Sequence, residues 1–351
     1  MKLLLPAHHP AWARQFAPLV ERLREEGHET KIVAIKKDVA LDLLDAYGLD
    51  YEVIAETTGA TAFAKARVLL QTTARIAAII KREKPDVLIG RVSPMFAINA
   101  RRFGLPYLVF EDTEHARIAL WFCKRYATRV LTGSGFRDDL GPKQRRTNTY
   151  KELFALHPNR FTPDPSALAE AGLREDEPFA VLRFVSWTAD HDFGVKGLTL
   201  ETKRRAVEAI AERARPVISS ETPLPPELES YRFRAKPELM PHLLARAELL
   251  YGESATMAAE AAVLGTPAIF CDHAGRGYTD ELERDYGLVF NFGLDATSQD
   301  ASIGKLRDMT RDDGLKRRSA EARDRLLREK RDGTDVFYEE LTALASERGI
   351  R

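Results

Sequence analysis

Short apolar runs alternate with longer amphipathic segments along nearly the whole chain, and this alternation restricts the fold more than any other feature. In the first half, Leu3–Leu5, Thr30–Ile35, Tyr51–Ala55, Asp86–Ile89, Tyr107–Phe110 and Arg129–Leu131 read as strands. The helical segments Ala11–Glu26, Asp38–Tyr47, Thr61–Glu83, Pro94–Phe103 and Ala116–Tyr126 separate them. In the second half the strands are Phe179–Phe184, Pro216–Ser219, Tyr231–Ala235, Glu248–Tyr251, Ala268–Cys271 and Leu288–Asn291. A strand followed by a helix and another strand packs as a right-handed parallel crossover. Each half therefore reads as a Rossmann-like, doubly wound α/β domain. At 351 residues the chain exceeds what one core usually holds. The pattern weakens where Pro142, Pro158, Pro163 and Pro165 cluster. This divides the chain into a first domain at 1–150, a linker at 151–178 and a second domain at 179–330. A C-terminal helix at 331–351 is able to pack back on the first domain.

Open parallel sheets bind ligands outside the carboxyl ends of their strands, so two such domains point to a cleft lined by strand ends. The most informative strand end is Tyr251-Gly252-Glu253-Ser254-Ala255. Ser254 is a good N-cap for a helix of small apolar residues that closes at Gly265, and Pro267 opens the next strand. A helix start presents free amides and partial positive charge, which favour an anion such as phosphate. Glu260, six residues after Ser254, lies about 9 Å along the axis. That matches the span from a pyrophosphate to a ribose, and a carboxylate accepts two hydroxyl donors at once. A surface Glu on a well-packed helix is the competing explanation.

Other strand ends carry chemistry-bearing residues. After the first strand comes Pro6-Ala7-His8-His9-Pro10, with His8 a potential base. Gly90-Arg91-Val92-Ser93-Pro94 follows the fourth strand, and Arg91 suits an anion or a carboxylate. Glu111-Asp112-Thr113-Glu114-His115 is the densest acid/base cluster of the first half. Crowded carboxylates raise one another's pKa, and His115 beside them is placed to share proton transfer. Capping explains only one of these residues. In the second half, Arg183, Ser186 and His191 follow a strand, and Thr279, Asp280 and Glu281 begin a later helix. Asp190 and Asp192 match a bare Asp-x-Asp, which is insufficient for a metal site; no metal is expected.

Lysine plus arginine and aspartate plus glutamate each number 53, so formal charge is zero and nothing points to nucleic acid. The basic stretch Lys143-Gln144-Arg145-Arg146 falls near the linker, and Lys316-Arg317-Arg318 reads as a solvated helix face. Two distant cysteines, Cys123 and Cys271, give neither a disulfide framework nor zinc spacing, and a reduced cytoplasmic protein is expected. The leucines before Pro6 are too few for a secretory leader. No run is long enough for a transmembrane segment, which leaves peripheral membrane contact open. Nothing in the sequence reports oligomeric state.

Gly252-Glu253-Ser254-Ala255, then Glu260 and Gly265-Thr266-Pro267-Ala268, resemble the donor-binding helix of the GT-B superfamily. That superfamily includes non-hydrolysing UDP-N-acetylglucosamine 2-epimerases and MurG-like glycosyltransferases. The chain also resembles an uncharacterised archaeal and bacterial domain family beside them. Pro6-Ala7-His8, Asp112-Thr113-Glu114-His115, Lys151-Glu152-Leu153-Phe154, His191-Asp192 and Gly252-Glu253-Ser254 carry that likeness. The resemblance implies a GT-B fold with a nucleotide-diphosphate sugar, most simply a UDP-sugar, as substrate and no separate cofactor. It implies that Gly252, Ser254 and Ala255 meet the diphosphate, Glu260 the ribose, and Thr279, Asp280 and Glu281 the donor sugar. A metal-independent glycosyltransferase acting in surface polysaccharide or glycoconjugate synthesis on an unknown acceptor is expected, with His8, Glu111 or His115 as base. The alternatives are a 2-epimerase and a non-catalytic nucleotide-sugar binder. True epimerases carry Gly-Thr-Arg-Pro-Glu where this chain has Pro-Ala-His-His-Pro, and an Asp where it has Arg91. Glu253 also brings negative charge beside the expected diphosphate unless it points away.

Overall fold

The computed structural model describes residues 1–36, 39–56, 62–185, 197–220 and 223–350, without the side chains of 62–66. Ser186, His191 and the Asp190/Asp192 pair lie outside the described residues. The chain forms two compact units, Met1–Arg160 with Arg331–Arg351, and Phe161–Lys330.

The strands of the first unit are β1 (Lys2–Ala7), β2 (Glu29–Lys36), β3 (Tyr51–Glu56), β4 (Val87–Gly90), β5 (Tyr107–Glu111), β6 (Arg129–Gly133) and β7 (Gln144–Thr147). All pair in parallel, in the order β3-β2-β1-β4-β5-β6-β7. The intervening helices are α1 (Pro10–Glu25), α2 (Ala40–Ala46), α3 (Ala62–Glu83), α4 (Pro94–Phe103) and α5 (Arg117–Tyr126). Helices cover both faces, so the strands are apolar on both sides. Leu3 and Leu5 of β1 pack with Phe16, Leu19 and Val20 of α1, whereas Leu4 packs with Ile76, Phe96 and Leu120 from α3, α4 and α5.

The second unit contains α6 (Ser166–Glu170), β8 (Phe179–Phe184), α7 (Leu200–Ala211), β9 (Arg215–Ser220), α8 (Met240–Leu244), β10 (Leu250–Gly252), α9 (Ala255–Leu264), β11 (Ala268–Cys271), α10 (Gly277–Glu281), β12 (Val289–Phe292), α11 (Ala296–Thr310) and α12 (Leu315–Glu329). Its five parallel strands are ordered β12-β11-β10-β8-β9. The last helix, α13 (Gly333–Glu347), returns to the first unit. There Phe337, Leu341 and Leu344 join the α1 core, and the Phe337 and Phe154 rings meet at 5.9 Å.

The strand order reverses between β1 and β4 in one unit and between β8 and β10 in the other. These are the switch points at which such sheets bind ligands. Each is closed by a glycine. Gly90 has φ +145, and a Cβ there would lie 2.6 Å from Pro6 Cδ; a Cβ on Gly252 would lie 2.2 Å from the Arg183 carbonyl oxygen.

The structure redraws three segments. Residues 151–178 do not act as one linker. Lys151–Phe154 is a buried 3-10 turn of the first unit, Ser166–Glu170 is a helix of the second, and the units divide at Arg160. Gln144–Thr147 is an edge strand, not linker; one side of an edge is solvated, so Arg145 and Arg146 are tolerated there. Tyr231–Ala235 is not a strand and makes only an isolated bridge, Ile218 with Arg232. The 3-10 turn Pro226–Tyr231 runs into it, and Glu229 holds Arg232 and Arg234 locally at 2.8 and 3.0 Å.

Candidate functional site

At the second unit's switch point, Gly252 pairs beside Arg183 and the chain turns at once into α9. The Met257 N–H donates to Ser254 Oγ at 3.3 Å, and the first intrahelical bond runs from Ala258 N–H to the Ser254 carbonyl at 2.9 Å. The Ala255 and Thr256 amides precede that bond and have no carbonyl partner within the helix. Ser254, Ala255 and Thr256 are half-buried, so the helix start meets solvent. From Met257 to Val263 the helix is buried all round, and Glu260, 4 % exposed, is its one ionisable residue.

Glu253 turns away from this helix start. Its carboxylate accepts the Val185 N–H at 3.2 Å and the Leu198 N–H at 2.6 Å, with Lys203 Nζ at 3.7 Å. Its charge is therefore directed toward β8 and α7. Arg183 donates to Ser219 Oγ at 2.9 Å across the neighbouring strand end.

The expected sugar-contacting trio is divided by the structure. Thr279 is fully buried, and its hydroxyl both accepts the Arg276 N–H and donates to the Arg276 carbonyl, closing the start of α10. Glu281 is buried in an ion pair with Lys330 at 2.5 Å. Asp280 is the half-exposed member. Beside them Asp272, at the end of β11, holds Arg276 at 2.6 Å and His273 at 2.8 Å.

At the first unit's switch point the two histidines take different parts. His9 Nδ1 accepts the Ala11 N–H at 3.2 Å and caps α1. His8 packs against Trp12 and Phe96 with ring centroids 5.4 and 6.1 Å away, and burial lowers its pKa to about 3. Its Nε2 is buried with no hydrogen-bond partner among the described residues. The imidazole is thus neutral, with one nitrogen able to accept.

At the carboxyl ends of β4 and β5, beside the 3-10 turn Lys151–Phe154, lies a buried charge cluster. Arg91 bridges Glu111 and Asp112, and Lys151 bridges Asp112 at 2.6 Å and Glu152 at 3.0 Å. Arg91 also donates to Gln15 at 3.3 Å. Glu111 further accepts the amides of Asp112 and Thr113, each at 2.9 Å. Two cations face three carboxylates, so full ionisation leaves one buried negative charge unbalanced and the cluster favours keeping a proton. Burial raises Glu111 despite Arg91, and raises Glu152 to about 7. Burial would raise Asp112 also, but Arg91 and Lys151 overcome it and hold Asp112 below the usual carboxylate range. Glu114 accepts the Arg137 N–H at 3.0 Å, while His115 is half-buried just before α5.

Lys151, Glu152 and Gln15 were not among the residues selected from the sequence as site candidates. A charged pair between the buried Tyr150 and Leu153-Phe154 was the available signal. A cavity of about 390 Å³ opens beside the start of β12, flanked by α11 and α12, and shares no residue with either switch point.

No protein-family model matches the chain. Over 134 residues it is 31 % identical to the UDP-N-acetylglucosamine–N-acetylmuramyl-(pentapeptide) pyrophosphoryl-undecaprenol N-acetylglucosamine transferase of Halorhodospira halophila. That match spans 36 % of this chain and 37 % of the relative, so the chain covers little more than a third of the curated protein it matches. Among solved structures it is similar to a candidate UDP-N-acetylglucosamine 2-epimerase of Listeria monocytogenes, with TM-score 0.70, 13 % identity, and 99 % and 96 % of the two chains covered. The spinosyn forosaminyltransferase SpnP gives TM-score 0.66 at 14 % identity, covering 98 % and 99 %. S. aureus MnaA, solved with UDP, gives 0.64 at 11 % identity, covering 92 % and 91 %. With its two parallel-sheet α/β units, the chain has the GT-B fold.

Proposed function

We propose that the chain binds a nucleoside-diphosphate sugar in its second unit and transfers the sugar to an acceptor hydroxyl. The observation that carries this reading is the half-exposed start of α9, capped by Ser254 and followed by buried Glu260, at a switch point that Glu253 leaves clear. The diphosphate docks on the Ala255 and Thr256 amides and the Ser254 hydroxyl, and Glu260 receives the ribose hydroxyls. UDP bound to MnaA and the activities named for the other relatives support the ligand class.

In the transfer, the acceptor hydroxyl loses its proton to a base as its oxygen bonds the anomeric carbon. The carbon–oxygen bond to the diphosphate breaks, and the leaving group keeps the bonding pair. The amides at the start of α9 stabilise that charge, which makes a divalent cation unnecessary in this scheme. His8 is the proposed base on its position at the end of β1 and its Nε2 without a hydrogen-bond partner among the described residues; burial lowers its pKa, so the bound acceptor and donor must restore its basicity for it to take the proton. Buried, unlinked Cys123 and Cys271 support a reducing, cytoplasmic setting. Among the described residues no helix is long and apolar enough to cross a membrane.

A second reading rests on Glu111 and Glu152, two buried carboxyls with raised pKa, as a 2-epimerase needs acid and base on opposite sides of one carbon. Incubation with a panel of UDP-sugars in deuterated water, without acceptor, separates the two. Slow release of UDP supports transfer. Deuterium at the sugar C2 replaces transfer with epimerisation, and binding without any turnover, also when a panel of acceptors is added, contradicts both.

A further inference from the structure

The cavity of about 390 Å³ beside the start of β12 belongs wholly to the second unit. It opens toward the amino end of β12, whereas the switch point between β8 and β10 lies at the carboxyl ends of the same parallel sheet. Its size falls within the roughly 300–1,000 Å³ of small-molecule sites. A π turn, Leu282–Tyr286, delivers the chain to it and closes at Gly287 in the left-handed conformation, with φ +63. Such turns are rare and recur at functional sites. Tyr286, Phe290, Met309 and Leu315 supply an apolar wall.

Against that wall stand polar side chains that the protein itself does not engage. Lys305 of α11 is half-buried with its Nζ 3.9 Å from the centre of the Phe290 ring, and it forms no hydrogen bond or ion pair among the described residues. Asp308, on the next turn of α11, has no side-chain partner among them either. Ser319 of α12 is 4 % exposed, and its hydroxyl neither donates to nor accepts from any described residue. A buried hydroxyl left so costs free energy unless a ligand or water completes it. The remaining charges, Arg318 and Asp312, pair with each other, and Lys305 acts on Asp312 only at longer range. The lining thus offers a cation, an anion and a hydroxyl beside apolar side chains, with no net charge. A carboxylate without an ammonium would be repelled by Asp308, and an amine without a carboxylate by Lys305. A net-neutral molecule that carries both charges on an apolar body meets neither conflict.

We propose that this cavity is a second ligand site, for an α-amino acid with an apolar side chain. The carboxylate meets Lys305 and the Ser319 hydroxyl, the ammonium meets Asp308, and the side chain lies against Phe290, Met309 and Leu315. The proposal is independent of which ligand the switch point takes. The test is calorimetric titration of the full chain with L-leucine and L-phenylalanine, beside isocaproate and isoamylamine, which keep the leucine side chain but only one of its charges. The expected result is saturable binding of at least one of the two amino acids at millimolar concentration or below. Each single-charge analogue of leucine should bind at least about tenfold more weakly, because one charge-assisted bond is lost and the facing charge stays unpaired. Lys305→Met and Asp308→Asn should each weaken amino-acid binding about tenfold, and Ser319→Ala about threefold. These substitutions nearly conserve volume, and unchanged circular dichroism verifies the fold. No binding of either amino acid, analogues that bind as tightly as leucine, or variants that all bind like the parent would overturn the proposal.

Discussion

Glu253 illustrates how one side chain's direction decides the chemistry available to its neighbours. Its two backbone donors, Val185 and Leu198, precede it by 68 and 55 residues, so no local pattern announces them. Glu253→Ala strands both amides, and a loss of about 1–3 kcal/mol for each is expected in urea unfolding. A loss well below that range would mean the carboxylate does not hold these donors in solution. Gly252→Ala is expected to destabilise as well, because its Cβ meets the Arg183 backbone and neither strand has room to yield. The capping of α9 by Ser254 and the place of Glu260 on that helix were legible in the sequence because capping and helical spacing are local rules. Glu152 was not selected, because its chemistry comes from Lys151, Asp112 and burial rather than from spacing.

Glu152 also carries a pH signature. Its folded pKa, about 7, lies above the ordinary carboxylate value of 4.5, so the folded state binds this proton more tightly. The resulting stability is fully present below pH 4.5 and is lost as pH rises through 7. Glu152→Gln keeps the neutral form at every pH. The variant should match the parent near pH 4.5 and become more stable above pH 7, by at most about 3 kcal/mol. Parallel stability profiles from chemical denaturation would contradict the raised pKa.

The elements read correctly from the sequence are those whose periodicity is complete within themselves, such as β1, β5, α4 and α9. Those misread depend on distant partners. β7 exists because β6 offers it an edge, and its charged sequence gives no sign of that. Tyr231–Ala235 has strand-like composition but no full neighbour to pair with. α13 stabilises a unit that begins 332 residues earlier, with Thr334 Oγ1 donating to the Phe154 carbonyl at 2.9 Å and Arg22 and Arg160 both meeting Asp335. Phe337→Ala should therefore cost about 3–5 kcal/mol. Calorimetry should assign the loss to the first unit, leaving the second unit's transition in place. A lowered second transition alone would contradict this packing.

At the scale of the molecule, both units use one device at the switch point. A strand ends in glycine, a serine caps a ten-residue helix, and a left-handed glycine and a proline lead into the next strand. Gly90, Ser93, Gly104 and Pro106 serve the first unit, and Gly252, Ser254, Gly265 and Pro267 the second. The copies differ where an anion would bind. α4 opens with Pro94, which has no N–H, and Asn99, six residues after its cap, is turned back onto the Thr73 and Met95 carbonyls at 3.0 and 2.9 Å. α9 opens with Ala255 and carries Glu260 at the matching place. On the proposed function, this asymmetry favours the second unit over the first for the phosphates.

Hydrogen exchange of the full chain with and without UDP tests this assignment most directly. The account predicts slowed exchange across Ala255–Met257 and no change across Met95–Ala97. It also predicts that Glu260→Ala weakens UDP binding by about 1–3 kcal/mol. UDP bound with the α9 start still exchanging freely, or protection appearing on α4 instead, would contradict it.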